Sequence, residues 1–520
     1  MRDFFFNLLI TPFIGSYAEI HYTLKGLKAR YYLNAPEIIF DMPIRCIKKR
    51  TNTIPIALIV KDAHVYPTYL NSIFVNIKYQ NKHEKHQLTF AQHIKKSFFY
   101  HIFHIEIKDE YINQNLKISI EFTYTNKKGK RIKALNDNYK TIKEHLFECF
   151  ISREDLPFPI DFKKGEPHYH SNYTSDQVEF GAPIEVAQTF AYCMGMDWLF
   201  VTDHSYDLDD EQDNYLINNP ELPKWHQQAR EIQSLDRENM RIIQGEEVSI
   251  GNKLKQNVHL LSINRAFIQG KGDSAERWFH NKADHNLSEI EHKTDGLLIA
   301  AHPFDQIPFA QKITLNRGNW ALDDMLDNKI DLIQAINTNA LNDVFAAVNR
   351  WKSFLLQGAK LYLLAGNDAH GNFQYMKQIK TPFIKLLLNK KQTFARFFTA
   401  CKSADNNPID GINSKYILVS NGPFLDFQLK TTKTYNIGDT INEFSAKLIY
   451  QAHSNLEFGE IKIIKLFIGN IDKKQEICLN DAKSDILLEL PKRGYIRMEC
   501  FTSKINIAIS NPIWIEQSDY

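Results

Sequence analysis

Pro183-Ile-Glu-Val-Ala-Gln-Thr-Phe-Ala-Tyr-Cys-Met-Gly195, followed closely by Trp198-Leu-Phe-Val-Thr202, is the stretch on which the fold turns. Proline suits the first turn of a helix, where a missing N–H costs nothing, and glycine suits its C-terminal end. The short apolar run behind it reads as a buried strand. Further apolar segments repeat that strand: Arg241-Ile-Ile243, Val258-His-Leu-Leu261, Leu297-Leu-Ile-Ala300, Asp331-Leu-Ile-Gln-Ala-Ile336 and Leu361-Tyr-Leu-Leu364. Strands alternating with helical segments predict a parallel sheet, here closed into a distorted barrel.

Outward from this region the pattern changes on both sides. Leu116-Lys-Ile-Ser-Ile-Glu-Phe-Thr-Tyr124 alternates apolar and polar residues at every step, the period of a half-buried strand. Ile73 to Tyr79 and Phe103 to Ile107 repeat it more loosely, and Asn126-Lys-Lys-Gly-Lys-Arg131 reads as a turn with Gly129 at positive φ. An antiparallel sandwich is therefore expected before the linker around Pro157 and Pro159. After Ser403-Ala-Asp-Asn-Asn-Pro-Ile-Asp-Gly411 the chain is again strand-like at Tyr416 to Val419, Ala446 to Gln451, Ile461 to Ile468 and Tyr495 to Phe501. The expected division is a β-sandwich over 1–160, the α/β unit over 161–405 and an immunoglobulin-like β-domain over 406–520.

At 520 residues with 43% hydrophobic content, the chain is long enough for several cores. Lys+Arg at 63 against Asp+Glu at 61 leave a net charge of +2, so overall charge gives no reason to expect nucleic acid or an anionic membrane as partner. The six cysteines are scattered without a CxxC pair, which favours buried thiols in a reducing compartment over a disulfide framework. Asp3, Asn7 and Pro12 break up the apolar N-terminal run, so it is read as a folded start rather than a signal peptide, and the expected location is the cytoplasm.

Residues that bind metal ions gather at the ends of the central strands. His168-x-His170 opens the region, and alternate residues of an extended segment face one side. Asp203-His204 follows one strand, and Glu246-Glu247 follows another beyond a sharp turn expected at Gly245. His259 lies within its strand, His302 ends the next, and Asp368-Ala-His370 follows the last. A lone histidine at a strand end is more often structural, and HxH by itself occurs by chance. The whole ordered series is far harder to obtain by accident. Imidazole and carboxylate together suit Zn²⁺, Mn²⁺ or Fe²⁺, and a carboxylate such as Glu247 can bridge two ions ~4 Å apart.

His168-Tyr-His170, Val201-Thr-Asp-His204, Gln244-Gly-Glu-Glu247, Ala301-His302-Pro303 and Gly366-Asn-Asp-Ala-His370 resemble, in order, the motifs of the PHP (polymerase and histidinol phosphatase) superfamily. Val419-Ser-Asn-Gly-Pro-Phe424 with Gly438-Asp439-Thr440 is similar to the tail of its CehA/McbA-type metallohydrolases. The resemblance implies a distorted (β/α)7 barrel holding two or three divalent ions. It assigns His168, His170, Glu247 and Asp368 to one site, Glu247, His259 and His302 to a second, and Asp176, His204 and His370 to a third. Glu247 rather than Glu246 fits the motif spacing. Glu166-Pro167 stands where the family has Asp-Leu, and Asn367 where serine is common.

The leading functional expectation is a phosphoesterase in which a metal-bridging hydroxide attacks phosphorus in line, with Glu247, His204 and Asp368 as candidate catalytic residues. Arg317 is a candidate clamp for an anionic small-molecule ester, because a planar guanidinium matches phosphate oxygens. Carbamate or carboxylic-ester hydrolysis at the same centre is the second reading. A non-catalytic, metal-stabilised binding or scaffold protein is the third.

Overall fold

In the computed structural model, the described residues are 34–138, 145–175, 181–212, 214–272, 281–290, 296–307, 309–371, 373–374, 392–480 and 483–517. The apolar N-terminal run and Asp176 lie outside them.

Alternation drives the N-terminal region. Along the strand Asn115–Thr125, Leu116, Ile118, Ile120, Phe122 and Tyr124 are buried, so one face is apolar throughout. That strand sits in a seven-stranded sheet between Phe147–Ser152 and Thr68–Tyr79, and a three-stranded sheet of Glu37–Asp41, Thr53–Lys61 and Phe98–Glu106 shares its core. The pairing is antiparallel except where Arg45–Ile47 runs parallel to Phe147–Ser152. Gly129 has φ +75° in the turn before Arg131–Leu135.

The central region places seven strands in one sheet: β1 (Phe162–Tyr169), β2 (Trp198–His204), β3 (Arg241–Gly251), β4 (Asn257–Ile263), β5 (Leu297–Ala301), β6 (Leu332–Ile336) and β7 (Tyr362–Ala365). Its longer helices are α1 (Ile184–Met194), α2 (Pro223–Leu235) and α3 (Leu341–Leu355). Gly195 ends α1 at φ +100°, its N–H donating back to the Tyr192 carbonyl.

The structure departs from the expected parallel barrel in three ways. Strand β4 is antiparallel to both β3 and β5. Only residues 252–256 join β3 to β4, too few for the crossover that a parallel pair needs. Gly245 is no turn, because β3 runs through it. A Cβ there would come within 2.5 Å of Ile263 Cδ1, so glycine permits the close approach of β4. Finally, no strand ladder closes the sheet among the described residues; a single parallel bridge between Tyr169 and Ala369, with His170 N donating to the Ala369 carbonyl at 3.1 Å, joins β1 to the segment after β7. The outer edge of β7 is satisfied by side chains: Ala365 N donates to Thr399 Oγ1 at 2.9 Å, and Leu363 N to Asn511 Oδ1 at 2.6 Å.

On the other side of β1 the same sheet continues into the C-terminal region through Phe398–Lys402, Ile417–Ser420, Ile507–Ser510, Arg493–Thr502, Ile461–Asn470 and Gln475–Asn480. Position 405 thus lies between two strands that are hydrogen-bonded neighbours. A four-stranded sheet built on Phe424–Lys430 and Ser445–His453 packs Phe427, Leu429 and Leu448 against Leu466, Ile496 and Met498. No described helix is long and apolar enough to cross a membrane.

Candidate metal centre

Strand geometry gathers the candidate ligands. His168 and His170 project to the same side at the end of β1, while Tyr169 between them turns into the core and donates to the Ala182 carbonyl at 2.6 Å. His204 ends β2 in register with Glu247 of β3, and His259 of β4 faces Ser249, two residues beyond Glu247 and on its face. His302 and Asp368 follow β5 and β7 with φ of +30° and +48°. Left-handed backbone at both positions is a local strain that surrounding packing sustains, of the kind that gathers at functional sites.

Six imidazoles and two carboxylates result, in three overlapping groups that can hold a metal ion: His168, His170, Glu247 and Asp368; Glu247, His259 and His302; His170, His204 and His370. Within each group the ligand atoms lie within 4.8 Å of one another. Glu247 is divided between the first two. Its Oε1 faces His259 Nδ1 at 2.6 Å and His302 Nε2 at 2.9 Å. Its Oε2 faces His204 Nδ1 at 3.1 Å, His170 Nε2 at 3.2 Å and His168 Nε2 at 3.5 Å. Asp368 Oδ1 lies 3.1 Å from His170 Nε2 and 3.5 Å from His168 Nε2. Glu246, on the opposite face of β3, accepts from Ser205 Oγ at 2.9 Å and Ile268 N at 2.7 Å and belongs to none of the three groups.

The donor set fits a cation. Nε2 of His168 and Nε2 of His170 face each other at 3.1 Å while both point at the same two carboxylate oxygens. Two ring nitrogens so placed cannot both carry protons towards each other, and a cation between their lone pairs is the arrangement that satisfies them. Electrostatics within the protein set opposite charges against one another in this cluster: against burial, Glu247 and Asp368 push His168 up to about 9. Against burial, the imidazoles of His259, His168 and His204 hold the Glu247 carboxyl well below its ordinary range. Asp368 is likewise lowered, against burial, chiefly by His168 and His170. Burial together with the neighbouring His370 and His204 keeps His170 low, the neutral form that ligates.

Solved structures similar to this chain include a calcium-binding mutant of Bacteroides uniformis beta-glucuronidase 2, at 11% identity and a TM-score of 0.21, covering 92% of this chain and 61% of that one. Bacteroides uniformis beta-glucuronidase 3 follows at 8% identity and a TM-score of 0.18, covering 93% and 64%. The chain spans less than two thirds of the length of either, and likeness at this level carries no argument about fold or chemistry. No protein-family model and no curated protein matches the chain.

A second layer of buried polar groups holds the ligands. Both departures from the family pattern meet there: Asn367 Nδ2 donates to Glu166 Oε2 at 2.7 Å, and Asn367 N and His168 N donate to Glu166 Oε1 at 2.9 and 3.1 Å. Glu166 thereby ties the first ligand strand to the last ligand loop. Burial pushes its carboxyl up to about 7. Asp203 does the same for the turn after His170, accepting from Ser171 N at 2.7 Å, Ser171 Oγ at 2.6 Å and Thr174 N at 2.9 Å. Thr174 Oγ1 then meets His170 Nδ1 at 3.1 Å.

Arg317 lies against the same cluster. Residue 317 bridges to Asn257 at the start of β4, and its guanidinium contacts His259 Nε2. Gln334 went unnoticed in the sequence, although an amide inside the apolar run Leu332-Ile-Gln-Ala-Ile336 is the signal that marks it. Tyr206, whose ring stacks on His204 at 4.5 Å, carries no comparable signal.

Proposed function

We propose that this chain is a metal-dependent hydrolase of the PHP type, acting on a small-molecule phosphate ester. The observation that carries the reading is the division of one buried carboxylate, Glu247, between two sets of imidazoles. Two or three Zn²⁺, Mn²⁺ or Fe²⁺ ions bound there would supply an acidified water and neutralise charge growing on the phosphoryl oxygens.

The chain's own groups define how such a substrate would sit. Glu247 and His168 are almost wholly enclosed, at 1% and 0% side-chain exposure, whereas Asp368 retains 19%. Asp368 is the most exposed of the ligands, so its side of the centre is where we place the approach of an ester. Arg317, whose guanidinium contacts His259 Nε2, would bring its positive charge beside an anionic oxygen bound at the centre. This cation is the feature that favours a phosphate over a neutral carbamate or carboxylic ester. A cytoplasmic setting suits the six cysteines, all free thiols and five of them buried.

Two measurements test the proposal. Elemental analysis of protein purified without chelator should find Zn, Mn or Fe above one equivalent per chain; a metal-free protein that cannot be reconstituted sinks it. Arg317→Ala should keep its metal but raise KM for p-nitrophenyl phosphate roughly tenfold or more, the scale of one lost charge-assisted hydrogen bond, with Arg317→Lys in between. An unchanged KM would remove Arg317 from the substrate site.

A further inference from the structure

Gln334 is buried in the middle of β6, and each atom of its carboxamide has two partners in the frame of the metal centre. Its Oε1 lies 3.1 Å from His168 Nδ1 and accepts from the His302 backbone N–H at 3.0 Å. Its Nε2 donates to the Gly366 carbonyl and to Asn337 Oδ1, both at 3.0 Å. These partners leave the amide one orientation. A backbone N–H only donates and a backbone carbonyl only accepts, so His302 identifies Oε1 and Gly366 identifies Nε2. An amide oxygen only accepts, so the proton between Gln334 and His168 belongs to the histidine, on Nδ1. Nε2 of His168 is then the nitrogen turned towards the space shared by His170, Glu247 and Asp368, where a bound cation would meet its lone pair.

We propose that Gln334 is a positioning residue: it locks His168 with its proton on Nδ1, so that Nε2 faces the metal. It also holds the His302 and Gly366 backbones in fixed relation to that ring. The inference rests on the metal-centre reading above. Side-chain chemistry explains why glutamine stands here. Glutamate would accept from His168 and His302 equally well, but it has no N–H for Gly366 or Asn337. It would also add negative charge beside Glu247 and Asp368. Methionine would match the length and leave Nδ1 of His168 without a partner.

The test uses the full chain, ¹⁵N-labelled at histidine and loaded with Zn²⁺, which is diamagnetic. Two-bond ¹H–¹⁵N spectra report which ring nitrogen carries the proton, and His168 is assigned by its absence from the His168→Gln spectrum. Wild type should show a solvent-protected N–H on Nδ1 of His168. Gln334→Met should lose that protection and bind zinc 10–100-fold more weakly in competition with a chelating dye, the usual scale for a lost outer partner of a ligand. Gln334→Glu should keep the Nδ1 proton and recover most of the affinity. A residue that served packing alone would change melting temperature in both variants and leave the ring proton in place. If Gln334→Met does not fold, the wild-type and Gln334→Glu spectra decide. Zinc bound with the His168 proton on Nε2, or a Gln334→Met protein that binds zinc like wild type, overturns this inference alone. A chain that takes up no metal overturns the hydrolase reading and this one together.

Discussion

Glu247→Gln is expected to lose bound metal and hydrolytic activity together, while Glu246→Gln remains close to wild type in both. The two residues are adjacent in one strand, so they point to opposite faces and into different chemistry. Glu247 places one oxygen against two imidazoles and the other against three. An amide at this position presents one oxygen and one NH₂ group. The NH₂ cannot ligate, and whichever set of imidazoles it faces loses its shared anion. Glu246 is buried, and burial pushes its carboxyl up to about 8. Burial disfavours its charged form, and its partners Ser205 Oγ and Ile268 N donate to its oxygens. Glutamine has nearly the same shape, and the charge it would remove is one that burial already disfavours and that faces no imidazole of the cluster. Metal content by elemental analysis and turnover of p-nitrophenyl phosphate are the two readouts. The opposite ranking would show that the ligand motif is displaced by one residue.

The ligand series was legible because metal-binding residues were read together with their strands. Alternation alone placed His168 and His170 on one side of β1, and the apolar runs before His204, His302 and Asp368 located three more strand ends. Direction and continuity were not legible. The apolar content of Arg241-Ile-Ile243 ends where that of a short strand would, yet β3 runs on to Gly251 because Glu246 and Glu247 are buried with partners on its two faces. A polar pair looks like a loop until those partners are known. The reversal between β3 and β4 follows from the brevity of residues 252–256, which shows only once β3 is known to reach Gly251; with a strand ending at Ile243 the interval to Val258 is long enough for a crossover. Side-chain capping of the β7 edge by Thr399 and Asn511 joins residues far apart in the chain, which no local pattern reveals. The same is true of the Glu166–Asn367 bond. Each looks like a departure alone, and together they form one contact.

Asp368→Asn should hydrolyse p-nitrophenyl phosphate at least ~100-fold more slowly than wild type, about 2.7 kcal/mol of lost transition-state stabilisation. Two features make this substitution unusually clean. Asp368 sits at φ +48°, a region that asparagine tolerates as well as aspartate does, so the backbone has no reason to move. Its Oδ1 faces His170 Nε2 and His168 Nε2 at 3.1 and 3.5 Å, so what changes is the charge opposing a cation held by those rings. Metal binding can support folding, so the variant must first match wild type in circular dichroism and elution volume. Wild type itself carries the larger question. If it is loaded with each candidate metal and cleaves no phosphate, carbamate or carboxylic ester, the enzyme reading fails and a metal-stabilised scaffold takes its place. If it cleaves carboxylic esters or carbamates alone, the centre stands, phosphorus is the wrong target atom, and Arg317 serves an anionic group elsewhere on the substrate. A folded Asp368→Asn protein that keeps both metal and full activity would place the reacting atoms at Glu247, His259 and His302, away from the side of the centre that Asp368 opens to solvent.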